Sequence, residues 1–372
     1  MGRCLTNIAR PVRCVLGRGR RALRTAMAKT DYDKFDWHEL AICLSHFDLG
    51  PIRGITEFER GSRRAPKLII DAQRGKFLFK RRAKGRDDLA KVAFTHQLQL
   101  ALAGQNFPLP HLIGTRRENN SMLVLDEHIY EMFEYIEGGN YDGSLESTYH
   151  SGHILGLFHK LLAGFETSYS PPSGSYHNAK AIHQAIGNTV SSLPTADGES
   201  AKALTRAVES ISDAYRQCAK ITSELGLAQW DRQIVHGDWH PGNMLFRDQK
   251  VVGVIDYDAA RCQQRVIDMA NGTLQFSIIG GAEDPATWPE YIDEQRFREF
   301  LRGYDAVNIV SVAELKSIPY LMCEAMIAEA VLPIAATGSF GRMAGFPFLM
   351  MIERKVKWIL DSTEALQHLL DR

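Results

Sequence analysis

Apolar positions along this chain change rhythm near residue 140. Before it, short runs with a period of two are punctuated by Gly, Pro and Asp; after it, apolar residues return at three- and four-residue steps. Asp36-Trp37-His38-Glu39-Leu40 reads as a helix start with Asp36 as N-cap, and Gly50-Pro51 closes that helix. Three strand-like runs follow at 52–59, 67–71 and 76–81, the last two joined across Gln73-Arg74-Gly75. In the third run Phe77 and Phe79 point to one face, Leu78 and Lys80 to the other. Asp87 or Asp88 opens a helix whose Leu89, Val92, Ala93, His96, Leu100 and Ala103 make one buried stripe, and Phe107-Pro108-Leu109-Pro110 stops it. Two more strands are expected at 111–116 and 128–136, before the Gly138-Gly139 break. This order predicts a small α+β lobe with a mostly antiparallel sheet.

Past Gly143 the pattern is helical. Residues 149–165 carry Ile154, Leu155, Phe158, Leu161 and Leu162 on one side. Residues 168–197, rich in Ser, Pro, Gly and Asn, read as an irregular loop with a short helix. Helices are expected at 200–225 and near 264–280, 290–304, 311–332 and 344–370, with no internal repeats.

Composition changes this picture little. The 372 residues suffice for two lobes, and Lys+Arg and Asp+Glu are both 44, so no global basic footprint for nucleic acid exists. Residues 1–30 hold seven Arg and one Lys but no acid, leaving 36 basic against 44 acidic residues and a net −8 for the rest. This arm is read as a disordered tail or a misplaced start, with a transit peptide as the other reading, and is set aside from the fold. Six cysteines show no C-x-x-C pair, which points to incidental thiols in a reducing compartment and away from a zinc site or a disulfide frame. No apolar run approaches transmembrane length.

The chemistry concentrates in residues 234–258, I-V-H-G-D-W-H-P-G-N-M-L-F-R-D-Q-K-V-V-G-V-I-D-Y-D. Asp238 and Asn243 share a tight loop shaped by Gly237, Pro241 and Gly242, and an apolar run leads straight into Asp256. A carboxylate, a carboxamide five residues on and a second carboxylate at a strand end suit phosphoryl transfer: one group orients or deprotonates a hydroxyl, and the other two hold Mg2+ on phosphates.

H-G-D-W-H-P-G-N followed by V-I-D-Y-D resembles the signature of the aminoglycoside phosphotransferase and choline kinase group. Lys80 in F-L-F-K, the hinge-like F-E-Y-I-E-G from Phe133 and L-G-L-F-H from Leu155 occur in the order that group shows, so the resemblance covers residues 36–370. It implies a bilobal protein-kinase-like α+β fold. Residues 31–137 would form an N-lobe with a small antiparallel sheet and one main helix, and 138–372 a larger, mostly helical C-lobe.

The resemblance makes Asp238 the catalytic aspartate, Asn243 and Asp256 the Mg2+ ligands, and Lys80 the neutraliser of the α- and β-phosphates. Gly61 and Ser62 would lie in the phosphate-covering loop, and Glu134, Tyr135 and Ile136 would offer backbone groups to adenine. Asp258 is read either as a contact to a second metal or as a hydrogen-bonding partner within its loop. The expected helix glutamate is missing from the 87–104 helix; His96 and Gln97 stand near its place, and the partner of Lys80 is open. Asp268 is read as a structural cap. Tyr320 and Glu324, one turn apart, are candidates for the acceptor, as are Trp288, Glu290 and Tyr304.

The expected enzyme is therefore a cytoplasmic small-molecule kinase. It would use ATP, or GTP in its place, and Mg2+ to phosphorylate a hydroxyl of a sugar-like, amino-alcohol or homoserine-like metabolite, an aminoglycoside being the less favoured acceptor. No nucleic-acid or membrane partner is expected. The alternative is a catalytically silent nucleotide-binding scaffold. A protein kinase would need H-R-D, D-F-G and A-P-E, and none of these occurs.

Overall fold

The computed structural model describes residues 13–14, 33–58, 64–194, 197–281 and 284–369. Contacts divide the chain into two units. The first comprises residues 1–138 with 166–170 and 252–258; the second comprises 139–165, 171–251 and 259–372.

The first unit is built on one twisted sheet. Its strands are β1 (Arg13–Cys14), β2 (Ile52–Glu57), β3 (Lys67–Ala72), β4 (Gly75–Arg81), β5 (Leu123–Leu125) and β6 (His128–Glu134), in the order β1-β5-β6-β4-β3-β2. All neighbours pair antiparallel except β1 with β5. Alternation sorts the faces as anticipated: Phe77 and Phe79 are buried on the face covered by helix α1 (Trp37–Ser45), with Leu68, Ile70, Tyr130 and Met132. Asp36 caps α1 through a capping box with Glu39, and Glu39 also accepts from Arg81 and Tyr130 at 2.6 Å each, pinning helix to sheet.

Helix α2 (Leu89–Ala103), capped by Asp88, packs Val92 and Ala93 against Val124 and Ile129. Its deepest side chains include Phe94, Leu98 and Leu102, whereas Leu100 and Ala103 are half-buried and Leu89 is exposed. The helix is covered on more than one side, so the stripe expected from periodicity was too narrow. The strand expected at 111–116 is not formed. Leu112 makes one bridge to Phe133, and the strand of the sheet is Leu123–Leu125, buried at every position and so without visible alternation.

The second unit contains helices α3 (Leu145–Leu161), α4 (Lys180–Ser192), α5 (Gly198–Glu224), α6 (Arg265–Ser277), α7 (Glu294–Asp305), α8 (Val312–Thr337), α9 (Gly345–Asp361) and α10 (Thr363–His368). Among them run β7 (Arg232–Val235) and β8 (Met244–Arg247); β9 (Lys250–Val254) pairs with β8 and carries the chain into the first unit. β10 (Arg261–Gln264) pairs antiparallel with β7. The stretch expected at 168–197 to be an irregular loop with a short helix holds that helix as the 13-residue α4, whose buried Ile182, Ala185, Ile186 and Thr189 follow helical spacing. The single helix expected at 344–370 breaks at Ser362.

α3 and α7 cross closely because both carry glycine at the contact. A Cβ on Gly152 would stand 1.9 Å from the Phe300 carbonyl oxygen, and one on Gly303 2.0 Å from that of Tyr149. α8 runs past the expected end at 332 despite Pro319 and Pro333. It is long and apolar enough to cross a membrane by length and composition, contrary to the expectation that no run is, but 72% of its most apolar window is buried within the protein.

Candidate active site

Strand β7 delivers the chain into the loop 236–243, and a buried carboxylate holds that loop. Asp268, in the first turn of α6, accepts from the backbone N–H of His236 (3.0 Å) and of Gly237 (2.9 Å). The same carboxylate meets His159 Nε2 at 3.2 Å, and His159 Nδ1 meets the Tyr304 hydroxyl at 2.8 Å. Asp268 therefore serves as a cap, but for the loop and not for its own helix. Gly237 adopts φ +76, and a Cβ there would lie 2.5 Å from the Ala259 carbonyl oxygen, so only glycine makes this turn. His236 and Trp239 are fully buried and fix the loop from beneath.

These constraints set the Asp238 side chain. The Asn243 amide nitrogen donates to the Asp238 carbonyl at 3.0 Å and to its Oδ2 at 2.9 Å. Both acceptors require the NH2 end of the amide, which leaves Asn243 Oδ1 to act as a hard oxygen donor. Gly242 N–H donates to His240 Nδ1 at 3.0 Å, so the proton of neutral His240 sits on Nε2, 3.6 Å from Asp238 Oδ2. Burial alone would raise the Asp238 pKa; His240, His236 and the Asn243 amide outweigh it and hold the carboxyl below its ordinary value. Asp238 is thus an oriented carboxylate.

In the sheet unit, Lys80 projects from the face opposite Phe77 and Phe79, directly across from Glu131 on β6 and Lys67 on β3. Its acidic partner is Glu131, at 3.6 Å. Sequence reasoning sought this partner on the following helix and missed it; the available signal was a lone glutamate inside the apolar run I-Y-E-M-F of β6. His96 supports Glu131 from α2, with Nε2 at 2.7 Å from Oε1 while Nδ1 meets the Ser121 hydroxyl at 2.8 Å. Burial would raise the Glu131 pKa, but Arg82, Lys80 and His96 hold it well below the ordinary range. Lys67 is shifted down by burial first and by the Lys80 charge second, against the raising influence of Asp256 and Asp258.

Asp256 lies just past β9 with φ +64, a left-handed conformation rare for a non-glycine residue. The turn is held on one side by Val254 N–H on the Pro108 carbonyl (2.9 Å) and on the other by Asp258 on Arg82 (2.8 Å). Of the hinge residues, Glu134 N–H bonds the His111 carbonyl (2.8 Å) and Tyr135 N–H that of Lys76 (2.9 Å), so both of these donors are engaged within the protein. Gly61 and Ser62 lie outside the described residues.

Within the helical unit a cavity of about 360 Å3 opens beside Asp238, with Tyr176, Arg261, Asn271 and Glu329 in its wall. Glu329 accepts from Gln275 at 2.7 Å. Burial raises its pKa to about 7, with the Asp238 charge adding to the effect, although its side chain stays open to solvent through the cavity. The acceptor candidates from sequence fare differently. Glu324 is fully buried and holds His177 Nδ1 (2.9 Å) and Asn178 N–H (3.0 Å), Tyr304 is buried on His159, and Trp288 covers Gly280. None of these three, nor Tyr320 or Glu290, is among the residues lining the cavity.

Among the described residues no three His, Cys, Asp or Glu side chains cluster as a metal cage. Mg2+ does not require one. It keeps several waters and takes oxygen from substrate phosphates, so the donor types of Asn243 and Asp256 fit it.

A family model described as the phosphotransferase enzyme family matches residues 54–308. The chain belongs to that family. No curated protein sequence matches the phosphotransferase. Among solved structures it is similar to amicoumacin kinase hAmiN in complex with AMP-PNP and Ca2+, at 12% identity and a TM-score of 0.63, covering 88% of this chain and 94% of that one. A microcompartment-associated aminopropanol kinase gives 12% identity and 0.63 over 89% of this chain and 99% of its own. Choline kinase from Cryptosporidium parvum Iowa II gives 14% and 0.56 over 89% and 96%. At such identities the likeness speaks for the fold: a kinase-like α+β architecture with an antiparallel sheet and a mostly helical remainder.

Proposed function

We propose that this phosphotransferase is an ATP-dependent kinase that moves the γ-phosphate to a hydroxyl of a small cationic metabolite of the amino-alcohol type. The observation that carries the reading is the pair Asp238 and Asn243: a carboxylate held below its ordinary pKa and oriented by the amide NH2, which leaves the amide oxygen as the donor atom. In this reading Asp238 orients the acceptor hydroxyl and takes up its proton as the O–P bond forms. Lys80 neutralises the α- and β-phosphates, Asn243 and Asp256 are the protein's Mg2+ donors, and the Ile136 N–H meets adenine. Bound Mg2+ would supply charge neutralisation on the phosphates. GTP in place of ATP is the competing nucleotide.

The acceptor class rests on the cavity beside Asp238. Its volume suits a small metabolite, and the Glu329 carboxylate opening into it suits an ammonium group. That two of the structural neighbours act on aminopropanol and choline agrees with this class. The test is ADP release with ATP and Mg2+ over a panel of amino alcohols, neutral sugars and aminoglycosides. An amino alcohol is expected to give the highest kcat/KM, and Asp238→Asn is expected to lower kcat by about 10^3 or more while sparing nucleotide binding. Unchanged turnover in Asp238→Asn would overturn the mechanism, and preference for a neutral sugar would overturn the acceptor class.

A further inference from the structure

Lys80, Glu131, Arg82 and Asp258 of the sheet unit form one connected chain of charges. Arg82, with 6% of its side chain exposed, stands at its centre. Its Nε lies 2.8 Å from Glu131 Oε2 and its Nη2 donates to Glu131 Oε1 at 3.0 Å. The same Nη2 donates to Asp258 Oδ1 at 2.8 Å, and Nη1 donates to the Arg86 carbonyl at 3.0 Å. Glu131 in turn faces Lys80 and is held by His96. One guanidinium thus connects the carboxylate opposite Lys80 with the turn that carries Asp256.

We propose that Glu131 and Arg82 are positioning residues that clamp Lys80 and the Asp256 turn together, with Asp258 the anchor of that turn and not a ligand for the metal. The proposal rests on the kinase reading for the roles of Lys80 and Asp256.

Three physical points carry it. First, a planar guanidinium meets two carboxylates at once with fixed angles, which a point charge cannot do. Second, Glu131 is shared between Arg82 at 2.8 Å and Lys80 at 3.6 Å, so its negative charge is spent mainly on the arginine. Lys80 is oriented by the carboxylate while keeping most of its charge for a phosphate. Third, Asp256 sits at φ +64, a conformation that persists only where its surroundings impose it. Val254 on Pro108 and Asp258 on Arg82 grip the turn on either side of it. Asp258 committed to a guanidinium is a poor candidate for a second metal.

The experiment uses the full chain and needs no known acceptor. Thermal midpoints are measured alone, with ADP, and with ADP plus Mg2+, for the wild type and for Asp258→Asn, Arg82→Lys, their combination, Glu131→Gln and Asp256→Asn. Titrating Mg2+ against the ADP-bound midpoint supplies the Mg2+ half-saturation; ADP release with the preferred acceptor adds the split between KM and kcat. The midpoint without ligand reports structure; the ligand-dependent increments report positioning. Asp258→Asn and Arg82→Lys are each expected to raise the Mg2+ half-saturation roughly tenfold, the weight of one charge-assisted hydrogen bond. Their combination is expected to be no worse than either alone, because both break the same link. Glu131→Gln is expected to lower the increment from ADP without metal and to raise the nucleotide KM.

The clamp is overturned if Asp258→Asn loses the Mg2+ response as completely as Asp256→Asn, the behaviour of a ligand. It is also overturned if the Asp258→Asn and Arg82→Lys effects add. Should Arg82→Lys fail to fold, the comparison of Asp258→Asn with Asp256→Asn still decides. Absence of turnover with every acceptor, beside intact ADP increments, would count against the kinase reading and not against the clamp.

Discussion

At the residue scale, several side chains of the proposed site lie in environments that oppose their ordinary titration. Glu329 is the clearest case. Its pKa is raised to about 7, so in the free protein it is largely protonated below that pH and ionised above it. The charges acting on it are those of Asp238 and His240, and Tyr176, Asp268 and Arg261 line the same cavity. If Glu329 reads an ammonium, the KM for an amino-alcohol acceptor falls as pH rises from about 6 to about 8, since the attracting charge forms over that range. In Glu329→Gln the KM should be higher and flat across the same range. A pH–KM profile of both proteins checks this, and identical slopes would remove Glu329 from the acceptor site.

At the element scale, the loop 236–243 and the helices beneath it depend on close backbone approach. Gly152 in α3 faces the Phe300 carbonyl of α7 at a distance that admits no Cβ. Gly152→Ala must push the helices apart, and is expected to cost about 3 kcal/mol in urea unfolding. Gly187→Ala in α4 meets nothing within 4 Å and is expected to stabilise by about 0.5–1 kcal/mol through helix propensity. Equal effects at the two positions would show that the α3–α7 crossing is not limited by its glycines. His159 on α3 and Tyr304 on α7 both lie behind Asp268, so Gly152→Ala should also lower kcat.

At the scale of the whole molecule, charge is unevenly divided along the chain. Residues 1–30 carry eight basic groups and no acid, while the remainder carries a net −8. An acidic body attracts a cationic acceptor over distances that salt screens. Raising NaCl from about 0.05 M to about 0.5 M, where the screening length falls several-fold, is expected to raise the KM for an amino alcohol more than that for a neutral polyol. Parallel salt profiles for the two acceptors would show that the field of the body plays no part in capture.

The sequence by itself determined the features that depend on local spacing. The Asp238–Asn243 interval and Asp256 at a strand end could be read because a tight loop and a short strand fix those offsets within 20 residues. Lys80 opposite the two Phe followed from strand alternation, and the α1 and α2 starts from their capping aspartates. The tertiary structure decided whatever depends on register or on packing between distant segments. Glu131 became the partner of Lys80 through the pairing of β4 with β6, which no local pattern states. The β5 strand escaped notice because burial on both faces erases alternation. Asp268 lies 30 residues past Asp238, yet it holds the loop that carries it, because α6 folds back so that its first turn meets that backbone. Motif spacing recorded which groups are proposed to do the chemistry; long-range packing chose the groups that hold them, and the free energy of those contacts has no signature in the order of the residues.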